Sequence, residues 1–85
     1  MPTRTVTVGS SVGLHARPAA VIAQAVGASG ATVTIATAGG EPVDAGSALM
    51  LMTLGAKQGD EVTVSSDDEK VLATVTGLVE QDLDA

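Results

Sequence analysis

The 85 residues predict a two-layer α+β domain, a sheet with helices laid over one side, in the order β-α-β-β-α-β-α. Two observations carry this. Apolar residues recur at period two in some stretches and at helical spacing in others. The period-two stretches interleave their apolar residues with Thr, which leaves one polar sheet face and one that needs a cover.

Arg4, Val6 and Val8 alternate with Thr3, Thr5 and Thr7, the pattern of a first strand. Gly9 to Gly13 is a polar loop. From Ala16 the spacing changes, and Ala19, Ile22, Ala23 and Val26 form the apolar stripe of a helix bounded by Gly27 and Gly30. Val33 and Ile35 alternate with Thr32, Thr34 and Thr37 as a second strand, and Ala38-Gly39-Gly40-Glu41 reads as a hairpin turn. A short strand follows around Pro42–Asp44. Pro42 removes a ladder donor, which puts that strand at a sheet edge.

Ser47 to Leu54 predicts a short, very apolar helix, capped by Ser47 and stopped by Gly55. Gln58-Gly59-Asp60 is a turn, and Val62 and Val64 mark the fourth strand. Ser66-Asp67-Asp68-Glu69 has the spacing of a capping box with Ser66 as N-cap. The helix after it carries Val71, Leu72, Val75, Leu78, Val79 and Leu83 on one side, and its acidic start suits the positive end of the helix dipole.

Length and composition bound the function. A chain of 85 residues makes one domain, spanning 1–85, that buries roughly 60–65% of its unfolded surface and has little room for a deep cavity. There is no Phe, Tyr or Trp, so the core is aliphatic and stacking on nucleic-acid bases is excluded. There is no Cys, which rules out disulfides and thiolate chemistry. The start Met1-Pro2-Thr3-Arg4 opens no apolar stretch, and the longest apolar run, Ala48–Met52, cannot span a membrane. The expectation is a cytoplasmic monomer without cofactor or membrane insertion. A net charge of −6 argues against nucleic acid as partner. All ten acidic residues lie at or after Glu41; the first 40 residues carry only Arg4 and Arg17.

The single His, at position 15, stands where the loop meets the first helix, in Gly13-Leu14-His15-Ala16-Arg17-Pro18-Ala19. With His15 at the N-cap, the backbone N–H groups of Ala16 and Arg17 have no partner inside the helix. Pro18 lacks an N–H, but in a first turn that donor is an orphan in any case. A helix N-terminus is a ready anion site, and Arg17 adds a guanidinium suited to phosphate. Both disfavour the imidazolium form and so keep the lone pair that attacks phosphorus. A lone His before a helix is more often a cap or a surface residue than a nucleophile; the Arg17-Pro18 context raises the chemical reading. A metal site is not expected, since no second His or Cys exists.

Ser47 is a second candidate. An N-cap hydroxyl accounts for it, worth about 1 kcal/mol. Phosphorylation there is the sharper reading, because a phosphate would meet a helix N-terminus. In the same helix Leu51 and Leu54 are expected in the core. Ala48, Leu49 and Met52 either face outward as a partner surface or belong to a helix that packs more deeply.

At Gly13–Ala19 the sequence resembles HPr, the histidine-containing phosphocarrier family of the bacterial phosphoenolpyruvate-dependent sugar phosphotransferase system. Ser47-Ala48-Leu49-Met50-Leu51-Met52-Thr53-Leu54-Gly55, followed by Gly59-Asp60-Glu61-Val62, is similar to the family as well, and the resemblance runs the whole chain. It implies an open-faced β-sandwich, a four-stranded antiparallel sheet covered on one face by three helices. It implies that His15 is phosphorylated on Nδ1 by enzyme I and passes the group to IIA domains of sugar permeases. Arg17 matches the phosphate-site arginine, Ser47 the serine that a dedicated kinase modifies in some bacteria, and Ala48, Leu49 and Met52 the apolar contact surface. A serine kinase or a transcription regulator would be further partners. Gly46 stands where many serine-controlled members have Lys, and Ala48 is smaller than the bulky apolar residue common there. These departures weaken the Ser47 reading and leave His15 untouched.

Other classes compete. A purely regulatory binding module would work through Ser47 and the second helix with His15 only a cap. An acyl carrier needs an Asp-Ser-Leu site, and a biotinyl or lipoyl domain needs a Lys at a hairpin tip; neither is present. Independent catalysis lacks an acid–base pair, so the chain is expected to carry a phosphoryl group without turnover of its own.

Overall fold

The computed structural model describes residues 2–11 and 13–81. Four strands and three helices follow one another as β1 (Thr3–Thr7), α1 (Ala16–Ser29), β2 (Val33–Thr37), β3 (Val43–Asp44), α2 (Ala48–Thr53), β4 (Glu61–Ser66) and α3 (Glu69–Glu80). The sheet is antiparallel throughout in the order β1-β4-β2-β3. The fold is the open-faced β-sandwich that the resemblance implies.

Register explains the two faces. Val6 pairs with Val62, and Ile35 pairs with both Val64 and Val43, so aliphatic residues share one side. Thr5 pairs with Thr63, and Thr34 with both Ser65 and Asp44, so polar side chains line the other. The Thr5 and Thr63 hydroxyls meet at 3.2 Å on this open side. The helices cover the aliphatic side, where Ile22, Val33, Ile35, Leu51, Val64 and Val75 are all fully buried. Burying each such side chain contributes about 1.5–3 kcal/mol. The two-residue β3 is an edge strand, as Pro42 requires.

Helix ends correct the sequence reading in two places. Helix α1 does not stop at Gly27 but runs through it to Ser29, and the left-handed Gly30 closes it by donating its N–H to the Gly27 carbonyl. Helix α3 is capped by Asp68, not Ser66. The Asp68 carboxylate accepts from the amides of Lys70 (3.0 Å) and Val71 (3.2 Å), a stronger cap than a hydroxyl. Ser66 instead completes β4, fully buried, with its Oγ accepting from the Asp68 amide. In α2, Leu51 is fully buried as expected, whereas Leu54 is only half-buried against the core. Of the stripe expected on α3, Leu83 lies outside the described residues.

The stretch between β1 and α1 is pinned on both sides. Gly9 donates its N–H to the Val79 carbonyl, and a Cβ on Gly9 would run into the Glu80 carbonyl at the far end of α3. Val8 is held between Asp60 and Gly59 by two backbone hydrogen bonds of 2.9 Å. These contacts hold Val8 and Gly9 on the way to the start of α1.

Candidate functional site

Local sequence positions the His15 ring. Leu14 is 3% exposed and packs in the core, so the next residue points outward. Five residues on, Ala19 is also fully buried, giving the spacing of a hydrophobic staple around the N-cap. Pro18 is buried too and fixes the first turn. Neither Leu14 nor Pro18 was picked out in sequence as an anchor; the signal was an apolar residue just before the cap and a Pro just inside it.

His15 is the N-cap of α1, with extended backbone (φ −101°, ψ −164°) and no capping hydrogen bond from its side chain. Its carbonyl accepts the Ala19 amide at 2.8 Å, the first intrahelical bond. The ring is exposed and is not spent on the cap. Ala16 and Arg17 follow, both exposed, with their amides in the orphan positions of the first turn. No acidic residue stands in that turn. The structure thus brings His15, Ala16 and Arg17 together as one exposed, electropositive helix start, the arrangement that receives an oxyanion.

The approach to His15 leans on the segment after α2. Gly13 has φ +72°, and a Cβ there would fall on the Ala56 carbonyl oxygen. The Leu14 amide donates to that same oxygen at 3.0 Å. His15 therefore sits beside the exit of α2, and Ser47 sits at its start. The six-residue helix between Ser47 and that exit rises about 9 Å.

Ser47 caps α2, its Oγ accepting from the Met50 amide at 3.3 Å. It is half-buried, and its own amide donates to the Asp44 carbonyl. The apolar trio divides. Leu49 is 67% exposed, whereas Ala48 and Met52 are half-buried against the core. Met50, not singled out in sequence, joins Leu49 on the outer side at 38% exposure. A six-residue helix on a sheet shows solvent only a narrow arc, and Leu49, Met50 and Thr53 are that arc, the first two its apolar part.

Comparisons with known proteins agree with this geometry. A family model described as "PTS HPr component phosphorylation site" matches residues 2–81. Phosphocarrier protein HPr of Streptomyces coelicolor is 46% identical over 78 residues, covering 92% of this chain and 84% of the relative. Phosphocarrier protein HPr of Haemophilus influenzae is 37% identical over 79 residues, covering 93% and 92%. Among solved structures, HPr-C-His from Thermoanaerobacter tengcongensis superposes with a TM-score of 0.88 at 28% identity, covering 100% of this chain and 98% of that one. Phosphocarrier protein HPr from Bacillus anthracis gives 0.85 at 28% identity, covering 92% and 95%.

Proposed function

The chain belongs to the HPr family, the phosphocarriers of the phosphotransferase system, and on that footing we propose that His15 is the residue that carries the phosphoryl group. Residues 1–85 act as one cytoplasmic carrier domain between enzyme I and the IIA domains of sugar permeases. The lone pair of Nδ1 attacks phosphorus, the bond from phosphorus to its donor atom on enzyme I breaks, and the electron pair leaves with the donor. The reverse displacement by a IIA nucleophile returns Nδ1 to the neutral ring. No group on this chain has to supply or remove more than that, so the carrier works without a cofactor and without turnover of its own.

The observation that carries the proposal is the exposed His15 ring at the N-cap of α1, uncommitted to capping and followed by Ala16 and Arg17. The amides of these two residues and the Arg17 guanidinium hold the phosphoryl oxygens. Each charge-assisted hydrogen bond is worth about 1.5–3 kcal/mol, enough to hold the group and not too much to release it. Leu49, with Met52 and Ala48 beside it, gives partners an apolar seat.

Incubation with enzyme I and phosphoenolpyruvate, followed by intact-mass spectrometry, tests this. The chain gains one acid-labile phosphoryl group and His15→Ala gains none. Labelling that persists in His15→Ala rejects the assignment.

A further inference from the structure

We propose that Lys57 supplies a second cation to the His15 site and binds the phosphoryl group once it is in place, an inference that rests on the phosphocarrier reading. The chain has four Lys and Arg residues in all, Arg4, Arg17, Lys57 and Lys70. Lys70 is in the first turn of α3, whose other end meets Gly9, and Arg4 lies in β1 opposite Val64. Both stand at the end of the domain away from the loop that leads into α1. Lys57 stands against that loop.

The contact is through backbone. A Cβ built on Gly13 would lie 2.9 Å from the Lys57 Cα, so only a glycine admits Lys57 this close. The next residue, Leu14, is bonded to Ala56, the neighbour of Lys57. From Gly13 to His15 the chain spans at most about 7 Å. A four-carbon stem starting at the Lys57 Cα is therefore long enough to meet a group carried on the His15 ring.

The base of that stem is fixed. The Lys57 amide donates to Asp60 Oδ2 and its carbonyl accepts the Asp60 amide, both at 2.9 Å. Asp60 is thereby engaged with the backbone of the turn, and among the described residues no carboxylate pairs with the Lys57 ammonium. The Lys57 side chain is exposed. The Lys57 ammonium adds a second, mobile positive charge to the one that Arg17 provides.

The test separates a phosphoryl contact from a docking contact. A cation that only meets the partner changes how fast the group arrives and leaves the equilibrium alone. A cation on the phosphoryl oxygens changes the equilibrium. The measurement is the ratio of phosphorylated to free chain at equilibrium with catalytic enzyme I and a fixed proportion of phosphoenolpyruvate to pyruvate. Lys57→Gln shifts that ratio about two- to fivefold toward the free chain, the scale of an exposed charge pair. Lys57→Arg restores it, and the difference shrinks at high salt. An equilibrium ratio unchanged in Lys57→Gln overturns the inference while the unsubstituted chain still takes up phosphoryl. An unsubstituted chain that takes up none overturns the phosphocarrier reading with it.

Discussion

The Leu14 amide donates to the Ala56 carbonyl at 3.0 Å, and Gly13 lies flat against the same oxygen. This junction ties the start of α1 to the exit of α2, and it turns Leu14 inward and His15 outward. Gly13→Ala attacks it twice, by placing an L-residue at φ +72° and by putting a methyl group on the Ala56 carbonyl. A left-handed non-glycine residue costs about 1–2 kcal/mol, and the displaced oxygen adds to that. We expect a loss of about 2–3 kcal/mol by denaturant titration, with phosphoryl uptake slowed further than the unfolded fraction explains.

Helix α2 separates stability from docking within three residues. Leu51 is fully buried and Leu49 is 67% exposed. Leu51→Ala should cost about 2–5 kcal/mol. Leu49→Ala should stay within about 0.5 kcal/mol of the parent. If Leu49 meets enzyme I and IIA domains, that variant raises the KM for transfer with little change in kcat. Equal stability losses in the two variants would contradict the orientation of α2.

Most of the fold was legible in the sequence because Thr and Val alternate cleanly in the strands and the helices keep their stripes. What was not legible turned on competition between neighbouring groups. Ser66 and Asp68 both offer a cap, and the carboxylate wins because it accepts two amides at once. Gly27 looks like a stop, yet a helix tolerates a glycine, and only Gly30 takes the left-handed conformation that ends it. His15 at the N-cap followed from the motif. The burial of Leu14 and Pro18 beneath it, and the approach of Lys57, depend on how the loop lands on residues 56–60, which no local pattern encodes.

The cap of α3 gives a direct check on the corrected boundary. Asp68→Ala leaves the Lys70 and Val71 amides without their acceptor and should cost about 1 kcal/mol, within a range of 0.5–2. Asp68→Asn, which still offers an oxygen, should recover most of it. Amide exchange at Lys70 and Val71 should accelerate in the alanine variant alone. Unchanged protection at both amides would return the cap to Ser66.

His15 and Arg17 should be silent in stability and loud in function. The His15 side chain is exposed and makes no capping bond, so His15→Ala should shift unfolding by no more than about 0.5 kcal/mol. Arg17 is exposed with no acid in its turn, so Arg17→Ala should be as mild. Phosphoryl transfer is another matter. Losing one charge-assisted contact of about 1.5 kcal/mol slows transfer roughly tenfold. Arg17→Lys keeps the charge but not the planar fork, and should fall between the two. Transfer rates from enzyme I, measured by rapid quench for the parent and these two Arg17 variants, decide it. An alanine variant that transfers as fast as the parent would remove Arg17 from the site and leave the helix-start amides to hold the phosphoryl group alone.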